Sequence, residues 1–180
     1  IAAIPHMFSM SSILGGTSVQ HWYFIALLSL TGILLFVYRL VMPIINTLDH
    51  DIRVTRVVRI APDTINIEMS GRRLDELGAQ GGQYFHWRFL APGLWWHQHP
   101  LSLSAAPTGT TLRVTVRALG KGTQALLGVK PGTRVAFEGP YGMFSDAART
   151  TSDVVMVGIG IGITPIRALL EETTFESGRA

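Results

Sequence analysis

Cysteine is absent from all 180 residues, which excludes disulfides, zinc–thiolate sites and thiolate-held iron–sulfur clusters from this chain. Charge is missing from the N-terminal stretch: no Asp, Glu, Lys or Arg precedes Arg39. Charged residues make up only 15% of the sequence against 47% hydrophobic, and the apolar excess lies in that charge-free stretch. The net charge of +3 is mild and the basic residues are scattered, so no nucleic-acid-binding face is expected. The basic start of a signal peptide is lacking too, and Ile1 is not an initiator methionine. The last residues come soon after a glycine-rich turn of the kind that opens a fold, so the sequence reads as an internal piece of a longer protein.

What is present begins with hydrophobic length. Residues 1–20 are apolar and hydroxyl-rich, broken at Gly15-Gly16, and read as the end of one membrane helix with a short external loop. Residues 22–38 are uncharged throughout, and Val41-Met42-Pro43-Ile44-Ile45 extends them past the single Arg39. A membrane-spanning helix needs ~20 mostly apolar residues, which this run supplies. Trp22 and Tyr23 at one end, and Tyr38 with Arg39 at the other, suit the two interfaces. The competing reading, a buried helix of a soluble core, accounts less well for length and lack of charge together. We therefore expect a transmembrane helix over 21–45, in contact with membrane lipid. Arg39, Arg53, Arg56 and Arg59 place the residues C-terminal to the helix in the cytoplasm by the positive-inside rule. Pro43 should end or kink the helix, leaving 46–50 as a linker.

The next hundred residues alternate. Ile52, Val54, Val58 and Ile60 interleave with Arg53, Thr55 and Arg59, Pro62-Asp63 marks a turn, and 64–69 alternate without a fault. Residues 70–82 form a polar loop. Phe85, Trp87 and Phe89 then oppose Tyr84, His86 and Arg88, and Leu112, Val114 and Val116 oppose Arg113, Thr115 and Arg117. Val135 and Phe137 mark a last strand before Gly139-Pro140-Tyr141-Gly142. Many short strands at this spacing predict an antiparallel barrel or sandwich over 46–150. At 151–180 the period changes. Asp153-Val154-Val155-Met156-Val157 is an apolar run, as for a strand buried on both faces of a parallel sheet. A glycine turn and a helical stretch over 166–172 come next, the opening unit of a doubly wound nucleotide domain.

Three stretches could carry chemistry. Gly158-Ile159-Gly160-Ile161-Gly162-Ile163-Thr164-Pro165 lets backbone approach a pyrophosphate at a helix N-terminus, with Pro165 in the first turn where its missing N–H costs nothing. A purely structural tight turn is the alternative. Gly120-Lys121-Gly122-Thr123 fits either an anion-facing helix start capped by Thr123 or a plain loop-to-helix connection. His99-Pro100-Leu101-Ser102-Leu103-Ser104 has strand-like alternation that turns Ser102 and Ser104 to one face and Leu101 and Leu103 to the other. By itself it reads as a barrel strand.

In order, Gly82-Gln83-Tyr84, the His99–Ser104 stretch, Gly120-Lys121-Gly122-Thr123, Gly139-Pro140-Tyr141-Gly142 and the final glycine turn resemble the ferredoxin–NADP reductase superfamily. The His-Pro start, with a membrane helix before it, is similar to the ferric reductase and NADPH oxidase branch. The resemblance covers residue 22 to the C-terminus. It implies a transmembrane α-helix, an antiparallel FAD-binding β-barrel of the ferredoxin reductase type, and the start of an α/β NAD(P)H-binding domain. It puts His99 at the phosphate–ribitol region of FAD and Leu101 where the family has an aromatic against the flavin ring. Ser102 falls where a hydroxyl approaches flavin N5, the catalytic position. Pro100, Leu103, Ser104 and Arg117 belong to the same FAD site, and Gly122 and Thr123 sit at its pyrophosphate. Gly158, Gly160, Gly162, Ile163, Thr164 and Pro165 would receive NAD(P)H. In that branch electrons pass on to haem held by paired histidines; His6 is the candidate ligand here, its partner lying on upstream membrane helices of the same protein. A helix-end histidine is an equal reading of His6. The implied function is a membrane oxidoreductase carrying electrons from cytoplasmic NAD(P)H through FAD and haem to an acceptor such as ferric iron or oxygen. A haem-free, membrane-anchored flavin reductase and a non-catalytic assembly subunit are the alternatives.

Overall fold

The computed structural model describes residues 19–151 and 153–173. His6, with the proposed external loop, lies outside them. The chain divides into two units, Ile1–Pro43 and Ile44–Ala180.

In the first unit, α1 (Val19–Phe36) runs into a π-helical turn, Val37–Val41. Thr31 Oγ1, one of two hydroxyls in its middle with Ser29, donates to Leu27 O at 2.8 Å, so the helix satisfies this polar group from its own backbone. Apolar side chains such as Trp22, Leu30, Ile33 and Phe36 are exposed around it. A helix apolar on all sides needs a protein core or lipid around it, and none of its apolar window is buried in protein. The helical span His21–His50 is long and apolar enough to cross a membrane.

Of the end or kink expected at Pro43, the end does not occur: α2 (Met42–His50) continues through the segment read as a linker. The π turn lies just before Pro43, so the missing N–H falls where the hydrogen-bond ladder has already shifted register.

Among its described residues the second unit holds six strands in two antiparallel sheets. One has the order β1 (Arg53–Ala61), β2 (Thr64–Ser70), β5 (Thr111–Arg117); the other β4 (His99–Ser102), β3 (Tyr84–Phe89), β6 (Val135–Tyr141). This is the antiparallel fold expected for 46–150, with the two sheets not closed into a continuous barrel. The strand order is that of a barrel, but isolated bridges join the sheets at Arg53↔Arg134 and at Leu103↔Val114. The second seam is short because β4 is only four residues and contains Pro100, which has no N–H to give a ladder.

Alternation sorts the side chains as expected on β3, where Phe85, Trp87 and Phe89 are fully buried. They meet Phe137 of β6 and Ile65, Ile67 and Met69 of β2 in one core. On β1 a register shift between Val54 and Arg56 reverses the phase. Val57 then packs on the core, while Ile60 is exposed.

The nucleotide-domain opening is half formed. After α3 (Lys121–Leu126) and β6, residues 153–159 make no strand, and Val155 and Val157 are 91% and 82% exposed. No neighbouring strand lies beside them among the described residues, so the backbone has nothing to pair with. The helix itself, α4 (Ile163–Glu172), starts three residues earlier than the apolar pattern suggests.

Candidate functional site

The strand β4 aims successive side chains in opposite directions. His99 pairs with Trp87, and Leu101 with Phe85, so both face the core side. Pro100 and Ser102 pair with His86 and Tyr84, on the outer face where Tyr84, His86 and Tyr141 form an aromatic cluster with centroids 5.3–5.7 Å apart. Leu101 is doubly held: its side chain packs against the core, and its carbonyl accepts the Trp87 indole N–H at 3.1 Å. Leu103 is fully buried. Ser104 departs from the expected common face with Ser102. It lies past the end of the strand, buried, with its N–H donating to Arg113 O at 2.8 Å and its hydroxyl accepting from Arg113 Nε–H at 3.3 Å.

His99 is buried, and its Nε2 has no hydrogen-bond partner among the described residues. Burial pushes the imidazole below its ordinary value, and the neighbouring His97 adds to the effect, so the ring is neutral at pH 7. A Cβ placed on Gly122 would lie 3.7 Å from His99 Cε1, so glycine keeps the space beside the ring open. Two motifs 23 positions apart thus meet: an unpartnered ring nitrogen and the first turn of α3. Thr123 shapes that turn. Its hydroxyl accepts from the N–H groups of Leu119 (3.0 Å) and Gly120 (3.1 Å) and donates to Gly120 O (3.1 Å). The N–H groups of a helix's first turn have no acceptor inside the helix.

Arg117, at the end of β5, donates from Nε to Asp63 at 2.7 Å. That bond, with one from Thr64, holds the Asp63 carboxyl below the usual carboxylate range. Arg117 is therefore fixed to the β1–β2 turn.

In the glycine turn Gly160 has φ +59°, a conformation side chains resist. A Cβ on Gly158 would come within 2.7 Å of Ile166 Cδ1 and 3.2 Å of Ile163 Cα, so the turn packs directly on α4. Thr164 Oγ1 donates to Ile161 O at 2.8 Å, and Pro165 occupies the first helical turn as expected. A groove of ≈ 490 Å³ runs between α4 and the β1–β2–β5 sheet; Ser104 and Arg113 line one wall, Ile163 and Thr164 the other. The structure thus brings Ser104 to the helix start that comes after the glycine turn.

Sequence reasoning missed what holds those walls together. Arg113 Nη2 donates to Ser104 O at 2.5 Å and lies 3.9 Å from Glu171 of α4. Glu171 also accepts from Ala106 N–H at 3.2 Å and from Arg167 at 2.7 Å. Burial raises the Glu171 carboxyl, but these donors and the Arg113 charge outweigh it and hold it low. Glu172 accepts from Gly81 N–H, and a Cβ on Gly81 would overlap the Ala168 carbonyl. Only the four-residue spacing of Arg167 and Glu171 was a readable signal. No group of three or more His, Asp or Glu able to hold a metal occurs among the described residues.

The chain is similar to known proteins. A family model described as FAD-binding domain matches residues 50–145. The NADPH oxidoreductase of Mycobacterium tuberculosis is 35% identical over 97 residues, covering 51% of this chain and 26% of that protein. NADPH oxidase 1 of Mus musculus is 32% identical over 87 residues, 46% of this chain and 15% of that protein. Ferric reductase transmembrane component 4 of Saccharomyces cerevisiae is 29% identical over 150 residues, 73% and 21% respectively. The chain thus spans about a quarter or less of these relatives. Among solved structures, a ferredoxin NADP+ reductase from Neisseria gonorrhoeae with bound FAD and NADP aligns at TM-score 0.56 and 21% identity, covering 67% of this chain and 49% of that one. The ferredoxin reductase in carbazole 1,9a-dioxygenase aligns at 0.57 and 17%, covering 69% and 40%. These two likenesses concern the fold.

Proposed function

Because the chain belongs to the FAD-binding domain family, in the ferric reductase and NADPH oxidase branch of the ferredoxin–NADP reductase superfamily, we propose that it is the flavin-binding part of a membrane oxidoreductase. The enzyme takes electrons from cytoplasmic NAD(P)H through FAD and haem to an acceptor such as ferric iron or oxygen. One observation carries the flavin reading: the buried His99 Nε2 without a partner, beside the open space kept by Gly122, inside the matched region.

Bound FAD supplies the chemistry, accepting a hydride from nicotinamide and releasing electrons singly. The protein's share is placement. His99, neutral and short of one hydrogen bond, meets the phosphate–ribitol region. The first turn of α3, shaped by Thr123, presents N–H groups to the pyrophosphate, with Arg117 as a nearby cation. Ser102, held on the outer face by its pairing with Tyr84, presents its hydroxyl to flavin N5. Leu101 supplies an aliphatic surface fixed by the core in place of the family's aromatic. Gly158, Gly160 and Gly162 give NAD(P)H a close approach to the start of α4, where Ile163, Thr164 and Pro165 form the first turn. His6 lies outside the described residues, and the haem part of the reading rests on the sequence resemblance.

The test is the visible spectrum of the intact protein before and after NADPH. Stoichiometric flavin bands that bleach with NADPH support the reading, and a Soret band adds haem. Well-folded protein without FAD refutes the reading.

A further inference from the structure

Residues 90–98 join β3 to β4. Leu94 anchors this loop in the core, the N–H groups of Leu94 and Trp95 donate to Ala91 O, and His97 N–H donates to Leu94 O. At the far end Gln98 Nε2 donates to Glu138 Oε1 of β6 at 3.0 Å. The loop is thus held in one shape. Trp95 and Trp96 stand outside the core, 46% and 69% exposed, and stack on each other with centroids 3.5 Å apart. Core packing does not account for two indoles ordered in this way, and neither do the FAD and NAD(P)H contacts proposed above.

The surroundings of the loop decide what it can bind. Ala91 and Leu94 line one groove together with Ala125 of α3, so the loop lies beside that helix. The His97 ring is 6.4 Å from the His99 ring, and a Cβ on Gly122 would lie 3.7 Å from His99 Cε1. The pair therefore adjoins the two residues assigned to the phosphates of FAD. The strand β4 also gives a direction. Ser102 at its C-terminal end is assigned to flavin N5, and His99, about 10 Å back along the strand, to the phosphate–ribitol region. With those two placements, the part of FAD beyond its pyrophosphate, the adenosine, falls toward residues 90–98. An indole presents a flat, uncharged face, and a base stacks on it without needing a charge. Residues 90–98 contain no carboxylate, so nothing on the loop repels the neighbouring phosphates.

We propose that Trp95 and Trp96 form the platform on which the adenine ring of FAD stacks, and that this platform makes the site select FAD over FMN. This rests on the flavin-binding reading of His99 and Gly122.

The test measures the dissociation constants of FAD and FMN for the full chain, purified and stripped of flavin, by titration calorimetry. The wild type should bind FAD more tightly than FMN. Trp95→Ala/Trp96→Ala should weaken FAD by roughly ten- to a hundredfold, the loss expected for one stacked base, and leave FMN unchanged. Trp95→Phe/Trp96→Phe keeps two rings and should retain most of the FAD affinity. Equal FAD affinity in the wild type and the alanine variant overturns the proposal. An equal loss for FAD and FMN also overturns it, since the pair then serves the flavin half or the fold. A wild type that binds both flavins equally leaves the flavin reading intact and overturns the adenine platform. A wild type that binds neither removes the flavin reading, and the proposal with it.

Discussion

Ser102, Gly122 and His99 each make a separate demand that one substitution can test. Ser102→Ala removes a hydroxyl on the outer face of β4 without disturbing the core. Loss of one hydrogen bond of about 1.4 kcal/mol at N5 slows flavin reduction roughly tenfold, read by stopped-flow bleaching under NADPH. An unchanged rate removes Ser102 from the catalytic position. Gly122→Val places branched carbons against His99 Cε1, already 3.7 Å from a single Cβ, so purified protein should carry little FAD while melting near the wild-type temperature. His99 makes stability depend on pH. Its pKa in the folded chain lies below the ordinary 6.5. Above that value both states are neutral. As pH falls below it, the unfolded chain takes up a proton that the buried ring refuses, so the FAD-free protein loses stability toward acid until the lowered value is passed. His99→Asn should flatten that limb of a denaturation series; an identical slope would show that other groups cause it.

Among the elements, α4 is the one whose two ends do different work. Its C-terminal half is clamped to the sheets through Glu171 on Ala106, Glu172 on Gly81 and the close approach of Gly81 to Ala168. Its N-terminal end carries the glycine turn at the mouth of the groove. Gly158→Val should push the turn off Ile163 and Ile166, raising KM for NADPH severalfold while FAD content and the flavin spectrum stay as in the wild type. Loss of FAD in that variant would mean that the turn serves the flavin site as well. The same separation explains β4. Four residues with a proline among them make a poor ladder, so the Trp87 indole N–H on Leu101 O and Arg113 on Ser104 hold the strand that its own backbone cannot.

For the molecule as a whole, the apolar helix decides where the chemistry happens. With Trp22, Leu30, Ile33 and Phe36 exposed around it, the chain should stay with the membrane pellet through an alkaline carbonate wash; release into the supernatant would refute the span. Much of this was legible in order along the chain. Charge-free length marked the helix, two-residue alternation marked β2, β3 and β5, and the motif order marked the FAD-binding family, because each of these signals is local. The helix end that Pro43 allowed does not occur: a π turn ahead of it absorbs the lost hydrogen bond, and no composition rule shows that. The 153–157 strand and the unbroken alternation of β1 were misjudged because pairing needs a partner. A bulge or a missing neighbour changes the outcome without changing the residues. Local pattern thus determined which segments exist and which family they serve. Only the tertiary structure decided that His99 meets Gly122, that Ser104 turns to Arg113 and that Glu171 ties α4 to the sheets, since each depends on side chains far apart in sequence sharing one hydrogen bond or one void.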